Sequence, residues 1–217
     1  MRCIFLASLF LLGCPGPGAG PVTGTGDPLA PRSSPADAGV KYEPFARAKK
    51  LFGQKCAGCH IGSRRQAPRL GPGYNSRVWI KGFLLNPNGD DYYGRTKLGK
   101  MKPVKQRGSD LDALVELIYS QSGAKDAKPD LVAIGRKLFD AGGCTDCHAI
   151  DWKTEGNSGP NLGKRGSADM LSAFIAEPGH ERWYGDKNQM PRFGDKLKPA
   201  DRRALASYIL SWQSSSE

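Results

Sequence analysis

Two short stretches decide how this 217-residue chain folds: Cys56-Ala57-Gly58-Cys59-His60 and Cys144-Thr145-Asp146-Cys147-His148. Each is a Cys-x-x-Cys pair followed at once by histidine. Such a pair offers two thiols to the vinyl groups of one haem, and the next residue stands under the iron as an axial ligand. The spacing predicts two covalently bound haem c groups, one in each half. A single four-cysteine zinc site would have to merge two motifs 88 residues apart, with the histidines there by chance.

Working outward from the motifs, the chain repeats itself at a period near 90 residues. Lys50-Leu51-Phe52 precedes the first motif and Lys137-Leu138-Phe139 the second. Pro68-Arg69-Leu70-Gly71 recurs as Pro160-Asn161-Leu162-Gly163, Phe83 and Pro87 as Phe174 and Pro178, and Tyr93-Gly94 as Tyr184-Gly185. Each half ends in a segment whose apolar residues recur at spacings of three and four. These are Leu111, Leu114, Val115 and Ile118, then Leu205, Tyr208, Ile209 and Trp212. That periodicity predicts one buried helical face, and Pro199 suits the start of the second such helix. With β-branched alternation scarce, the expected class is all-α.

The repeat also nominates the second axial ligand. Met101 lies 41 residues after His60, and Met190 lies 42 after His148. Methionine commonly fills cores, but two at one offset in a repeated unit point to ligation. Met170 aligns with Trp79 and reads as core, and His180 reads as an exposed loop residue. Histidine and methionine together leave the iron no open position and raise its potential. Such a site favours electron transfer over bond chemistry, so no catalytic residues are expected.

These residues resemble class I cytochrome c domains from about Ala46 to Trp212. The resemblance implies that Gly135 packs its helix against the aromatic Tyr208 and that the Pro160 carbonyl holds the His148 ring. In the first half Ala48, Leu117 and Pro68 stand at the corresponding places. The whole is similar to tandem dihaem cytochromes accompanying bc-type quinol oxidoreductases, carried by residues 76–80, Asn86-Pro87 and Tyr93-Gly94. That implies redox partners, a bc-type complex and a terminal oxidase or other cytochrome. A fixed subunit of a membrane complex is the alternative, and a dihaem peroxidase a further one.

The N-terminus reads as export machinery. Residues 4–12 are almost wholly apolar but too few to cross a bilayer. Leu11-Leu12-Gly13-Cys14 resembles a bacterial lipobox, which implies acylation of Cys14; ordinary signal cleavage is the alternative. Residues 15–40 hold six glycines and six prolines and read as a disordered tether spanning about 28 Å as a coil. The expected organisation is a signal peptide over 1–13, a linker over 14–40 and cytochrome c domains over 41–124 and 125–217. The expected location is the periplasmic face of a bacterial membrane, held there by a lipid anchor.

The formal charge of +11 is uneven. Residues 41–125 carry 17 Lys and Arg against 6 Asp and Glu, whereas residues 126–217 carry 13 of each. Lys97, Lys100, Lys102, Lys105 and Arg107 flank Met101. A basic face steers encounters with acidic protein partners; a merely solvated face or anionic lipid are the other readings. Nucleic acid does not fit an exported haem protein.

Overall fold

Serine and proline mark most of the helix starts. The computed structural model describes residues 45–62, 66–98, 101–155 and 157–214; the expected signal peptide, Cys14 and the expected tether lie outside them. Among the described residues seven α-helices follow in order: α1 (Ala46–Lys55), α2 (Ala57–His60), α3 (Arg77–Leu85), α4 (Gly108–Ser120), α5 (Pro129–Ala141), α6 (Ala168–Ala176) and α7 (Pro199–Leu210). Among the described residues there is no strand, as the sequence pattern predicts. Ser76 caps α3 by accepting from the Trp79 amide at 3.1 Å, and Ser167 caps α6 by accepting from Met170 at 3.2 Å. Pro129 and Pro199 open α5 and α7, where a missing N–H costs nothing.

The predicted face of the first such helix is buried, and that of the second in part. Leu111, Leu114, Val115 and Ile118 line one side of α4, and Leu205 and Ile209 are enclosed in α7; Tyr208 is half-buried, and Trp212 lies past α7 in a 3₁₀ turn. Met170 is core and His180 is exposed, both as expected.

The helix pairing differs from the one the resemblance implies. In the expected arrangement α1 lies on α4 within the first half, and α5 lies on α7 within the second. Instead α1 packs on α7 and α5 packs on α4. Gly135 does not meet Tyr208. A Cβ at position 135 would collide with the carbonyl oxygen of Ala113 and lie 2.7 Å from its carbon and 3.0 Å from Leu117 Cβ, both residues of α4. Tyr208 is flanked instead by Phe45 and Phe52, with ring centroids 5.7 and 5.9 Å away. Phe52 also meets Trp212 edge-on at 5.1 Å.

A short connection explains the exchange. Only residues 121–128 separate α4 from α5, and so brief a link makes sequential helices neighbours. Glu116 on α4 fixes the junction. It accepts from the Lys128 amide at the start of α5 at 2.7 Å and from Nε and Nη2 of Arg77, at 2.7 and 2.8 Å. Once α5 covers α4, α7 is left for α1. Arg47 of α1 forms a two-pronged ion pair with Asp201 of α7, at 2.6 and 2.9 Å. The boundary expected at 124/125 thus falls between two helices that pack directly on each other, and the described residues belong to one compact unit spanning 43–217.

The core accordingly forms two clusters, each drawn from both halves. One gathers Phe52 with Leu171, Ile175, Trp183, Leu205 and Ile209. The other gathers Phe139 with Ile80, Leu84, Leu111, Leu114 and Ile118.

Candidate haem sites

Each Cys-x-x-Cys-His motif sits where a helix ends and the chain turns. α1 runs to Lys55, Cys56 turns the backbone, and α2 carries Cys59 and His60. In the second half α5 ends at Ala141. Gly143 then adopts a left-handed conformation, φ 71°, that leads into a single 3₁₀ turn over Cys144–Asp146. The amides of both histidines donate back to the first cysteine of their motif, His60 to Cys56 at 3.1 Å and His148 to Cys144 at 2.9 Å. These bonds hold both thiols and the imidazole within one turn of chain. All four thiols are free; Cys56 and Cys144 are half-buried, and Cys59 and Cys147 exposed.

The two imidazoles are oriented alike. Nδ1 of His60 donates to the Pro68 carbonyl at 2.8 Å, and Nδ1 of His148 donates to the Pro160 carbonyl, also at 2.8 Å. A carbonyl oxygen can only accept, so each Nδ1 carries the hydrogen and each Nε2 keeps its lone pair for a metal. The loops differ: Pro68 comes eight residues after its histidine and Pro160 twelve. Burial lowers both imidazole pKa values, against a smaller opposing effect of the proline carbonyl, which keeps the rings neutral and fit to ligate. Burial also pushes the Cys56 thiol up to about 11, helped by Cys59, and raises Cys144.

The methionines lie half-buried against the core. Met101 borders the cluster around Leu111, Leu114 and Phe139, and Met190 the cluster around Phe52, Leu171 and Leu205. Their loops are pinned by asparagine. Asn88 Nδ2 donates to the Met101 carbonyl at 2.8 Å, and the Met190 amide donates to Asn188 Oδ1 at 3.0 Å. Sequence reasoning passed over these asparagines, because an Asn in a polar loop carries no pattern of its own.

It also passed over a ring array that joins residues of the two halves. Phe83 meets Tyr93 at 5.7 Å, Tyr93 meets Tyr184 at 5.7 Å, and Tyr184 meets Phe174 at 6.3 Å. The Arg165 guanidinium stands 5.4 Å from the Trp79 ring centre. The repeated aromatics were visible in sequence, but not their meeting.

Lys97, Lys102, Lys105 and Arg107 are exposed; Lys100 lies outside the described residues. Arg107 donates to the Val104 and Gln106 carbonyls at 2.8 and 2.7 Å, which stiffens this basic segment.

Two thiols and one correctly turned imidazole on each of two surfaces, set in an all-helical frame, define a class: small proteins that attach their haem covalently. Comparison places the chain within it. The cytochrome c family model matches residues 132–213. Cytochrome c-551 of Azotobacter vinelandii is 34% identical over 82 residues, which are 36% of this chain and 95% of that protein. The chain belongs to the cytochrome c family, whose members carry covalently bound haem c and transfer electrons. It is also similar to the cbb3-type cytochrome c oxidase subunit FixP of Bradyrhizobium diazoefficiens, 26% identical over 209 residues, 86% of this chain and 69% of that one. The same subunit of Bradyrhizobium sp. ORS 278 is 25% identical over 206 residues, again 86% and 69%. No solved structure matches.

Proposed function

We propose that the chain is a dihaem cytochrome c that passes single electrons between respiratory partners on the periplasmic side of a bacterial membrane. The observation that carries this is the duplicated imidazole setting: two Cys-x-x-Cys-His turns, each with Nδ1 bound to a proline carbonyl at 2.8 Å. One such site makes a cytochrome c domain; two make a two-haem protein. The similarity to FixP over 86% of the chain supports the reading, since so long a match takes in both motifs.

The residues fit the group. Cys56 and Cys59 would hold one haem and Cys144 and Cys147 the other, with His60 and His148 presenting Nε2 to the irons and Met101 and Met190 supplying the remaining ligands. Bound haem supplies a one-electron couple. The chain fixes both imidazole rings in one tautomer, and His60, His148, Met101 and Met190 would leave the bound groups no open position for bond chemistry. The basic segment 97–107 draws in acidic redox proteins, here a bc-type complex and a terminal oxidase or another cytochrome. Acylated Cys14 and the tether hold the unit at the membrane. No helix among the described residues is long and apolar enough to cross a membrane.

The FixP likeness favours a second reading, a fixed subunit of an oxidase complex. Mild detergent extraction separates the two: a free monomer supports the carrier, and co-purification with an oxidase supports the subunit. The principal test is the ligand set. Met101→Ala and Met190→Ala should each leave haem attached, lower one potential and admit carbon monoxide at one site. An unchanged spectrum and potential in either variant would remove that methionine from the assignment. Cys14→Ser should release the protein from membranes.

A further inference from the structure

The exchanged helices carry their cysteine motifs with them. Cys56 and Ala57, just after α1, pack against the cluster that holds Leu171, Leu205, Ile209 and, on its margin, Met190. Cys144, just after α5, packs against the cluster that holds Leu111, Leu114, Ile118 and, on its margin, Met101. Met101 does not border the cluster of Cys56, nor Met190 that of Cys144. The loops repeat the pattern: Leu70 joins the cluster with Met190, and Leu162 the cluster with Met101.

A second, independent contact places the Met101 loop at the second motif. Around Gly142, the position a Cβ would take lies 3.4 Å from Gln106 Nε2 and 3.8 Å from Cys144 Sγ. Gln106 follows Met101 by five residues and belongs to the first half; Cys144 belongs to the second.

We infer that each haem is shared between the halves, His60 and Met190 serving the haem on Cys56 and Cys59, and His148 and Met101 serving the haem on Cys144 and Cys147. This rests on the two-haem reading above and assigns its ligand pairs. The linear order of the sequence gives the opposite pairing. Each site joins the N-terminal helix and cysteine motif of one half to the methionine loop and C-terminal helix of the other.

The assignment moves the basic surface. Exposed Lys97, Lys102, Lys105 and Arg107 accompany Met101, so they flank the haem on Cys144 and Cys147. An acidic partner steered by that surface docks at the second motif's haem. The excess of positive charge in the first half therefore serves the haem of the second.

The test uses the intact dihaem protein, reduced and diamagnetic, with its methionine methyls labelled with carbon-13. A methyl bound to haem iron is carried far upfield by the porphyrin ring current, and Met101→Leu and Met190→Leu each erase one such signal and so assign it. Nuclear Overhauser contacts then tie each methyl to one haem, and that haem to the β-protons of Cys56 or Cys144. The expected result joins Met190 to the haem of Cys56 and Met101 to the haem of Cys144. The reverse pairing overturns the inference and leaves the two-haem His/Met reading intact. Absence of upfield methyls overturns both, because methionine is then no ligand.

A second experiment needs no resonance assignment. In the full chain carrying Cys144→Ser and Cys147→Ser, one haem remains, on Cys56 and Cys59. Adding Met190→Ala should abolish the far-red charge-transfer band of methionine-ligated ferric haem, and adding Met101→Ala should leave it. Loss of the band with Met101→Ala instead overturns the pairing.

Discussion

Tyr184 donates its phenolic hydrogen to Tyr93 across 2.6 Å, and the two rings stand 5.7 Å apart. The residues occupy equivalent places in the two halves, so the contact is self-complementary, as at a two-fold axis. Phe83 beside Tyr93 and Phe174 beside Tyr184 extend it symmetrically. Burial raises the pKa of both hydroxyls, so neither ionises near neutral pH and the bond is constant there. Either single change to phenylalanine leaves one buried hydroxyl without its partner and should cost about 1–3 kcal/mol. The double change removes both and should cost less than the two singles combined. Urea unfolding of the four proteins measures the coupling.

Gly135 tests the exchanged helix pairing directly. The backbone carbonyl of Ala113 occupies the space a methyl would need, with its carbon 2.7 Å from the would-be Cβ. Backbone cannot rotate away as a flexible side chain can, so α5 must lift from α4. Gly135→Ala should destabilise the protein by about 1–3 kcal/mol, the usual range for overpacking, seen as a lower midpoint in thermal unfolding. Tyr208→Leu should not relieve it, because Tyr208 belongs to the other pairing, with Phe45 and Phe52.

The helices and the repeat were legible from spacing, and the proline carbonyls behind the histidines from the resemblance to class I cytochrome c domains. The pairing was not, and the cause lies in the repeat itself. Leu117 and Tyr208 stand at equivalent points of α4 and α7, so the pattern that seats Gly135 on one seats it equally on the other. Periodicity fixes which face of a helix is apolar but not which equivalent helix covers it. The signal that does separate them is the eight-residue link over 121–128. It favours α4 on α5, which leaves α7 for α1. The Tyr93–Tyr184 contact was hidden for a related reason: a repeat shows that two residues are alike, not that they touch.

Glu116 should make stability depend on acid. Its side chain is 3% exposed, and it binds Arg77, whose guanidinium also lies 3.9 Å from the Tyr119 ring centre. The Arg77 hydrogen bond, foremost, holds the carboxyl below its ordinary value, with the Lys128 amide adding to the effect against the penalty of burial. A lowered folded-state pKa gives stability that is present in full above the unfolded value and is lost as pH falls through the folded one. Glu116→Gln should therefore cost about 3 kcal/mol near neutrality, the scale for breaking a buried pair. The gap from the parent should narrow below about pH 4. Urea titrations across that window give the difference at each pH.

The basic segment should govern encounter rates. Lys102 and Lys105 are exposed, and neither is needed to hold a helix. With both changed to glutamate, oxidation of the reduced protein by ferricyanide, an anionic oxidant, should slow by roughly tenfold at low ionic strength. Near 1 M salt, where screening acts within about 3 Å, the two proteins should converge. Stopped-flow rates at several salt concentrations supply both comparisons.

Gly159 separates the two histidine settings. A Cβ there would lie 2.6 Å from Cε1 and 2.9 Å from Nδ1 of His148, inside the space the ring needs to reach the Pro160 carbonyl. The shorter first loop brings its chain past His60 by another route: Ala67 carries a Cβ beside Pro68, yet the His60 bond is the same 2.8 Å. Gly159→Ala should tilt the His148 ring and weaken its bond to Pro160. That bond sets the ring's tautomer and its strength as a ligand, so the change should shift the potential of one haem. A redox titration followed optically should show one component displaced and the other in place. Ala67→Gly should displace neither, since the first site makes its 2.8 Å bond with a methyl already at that position.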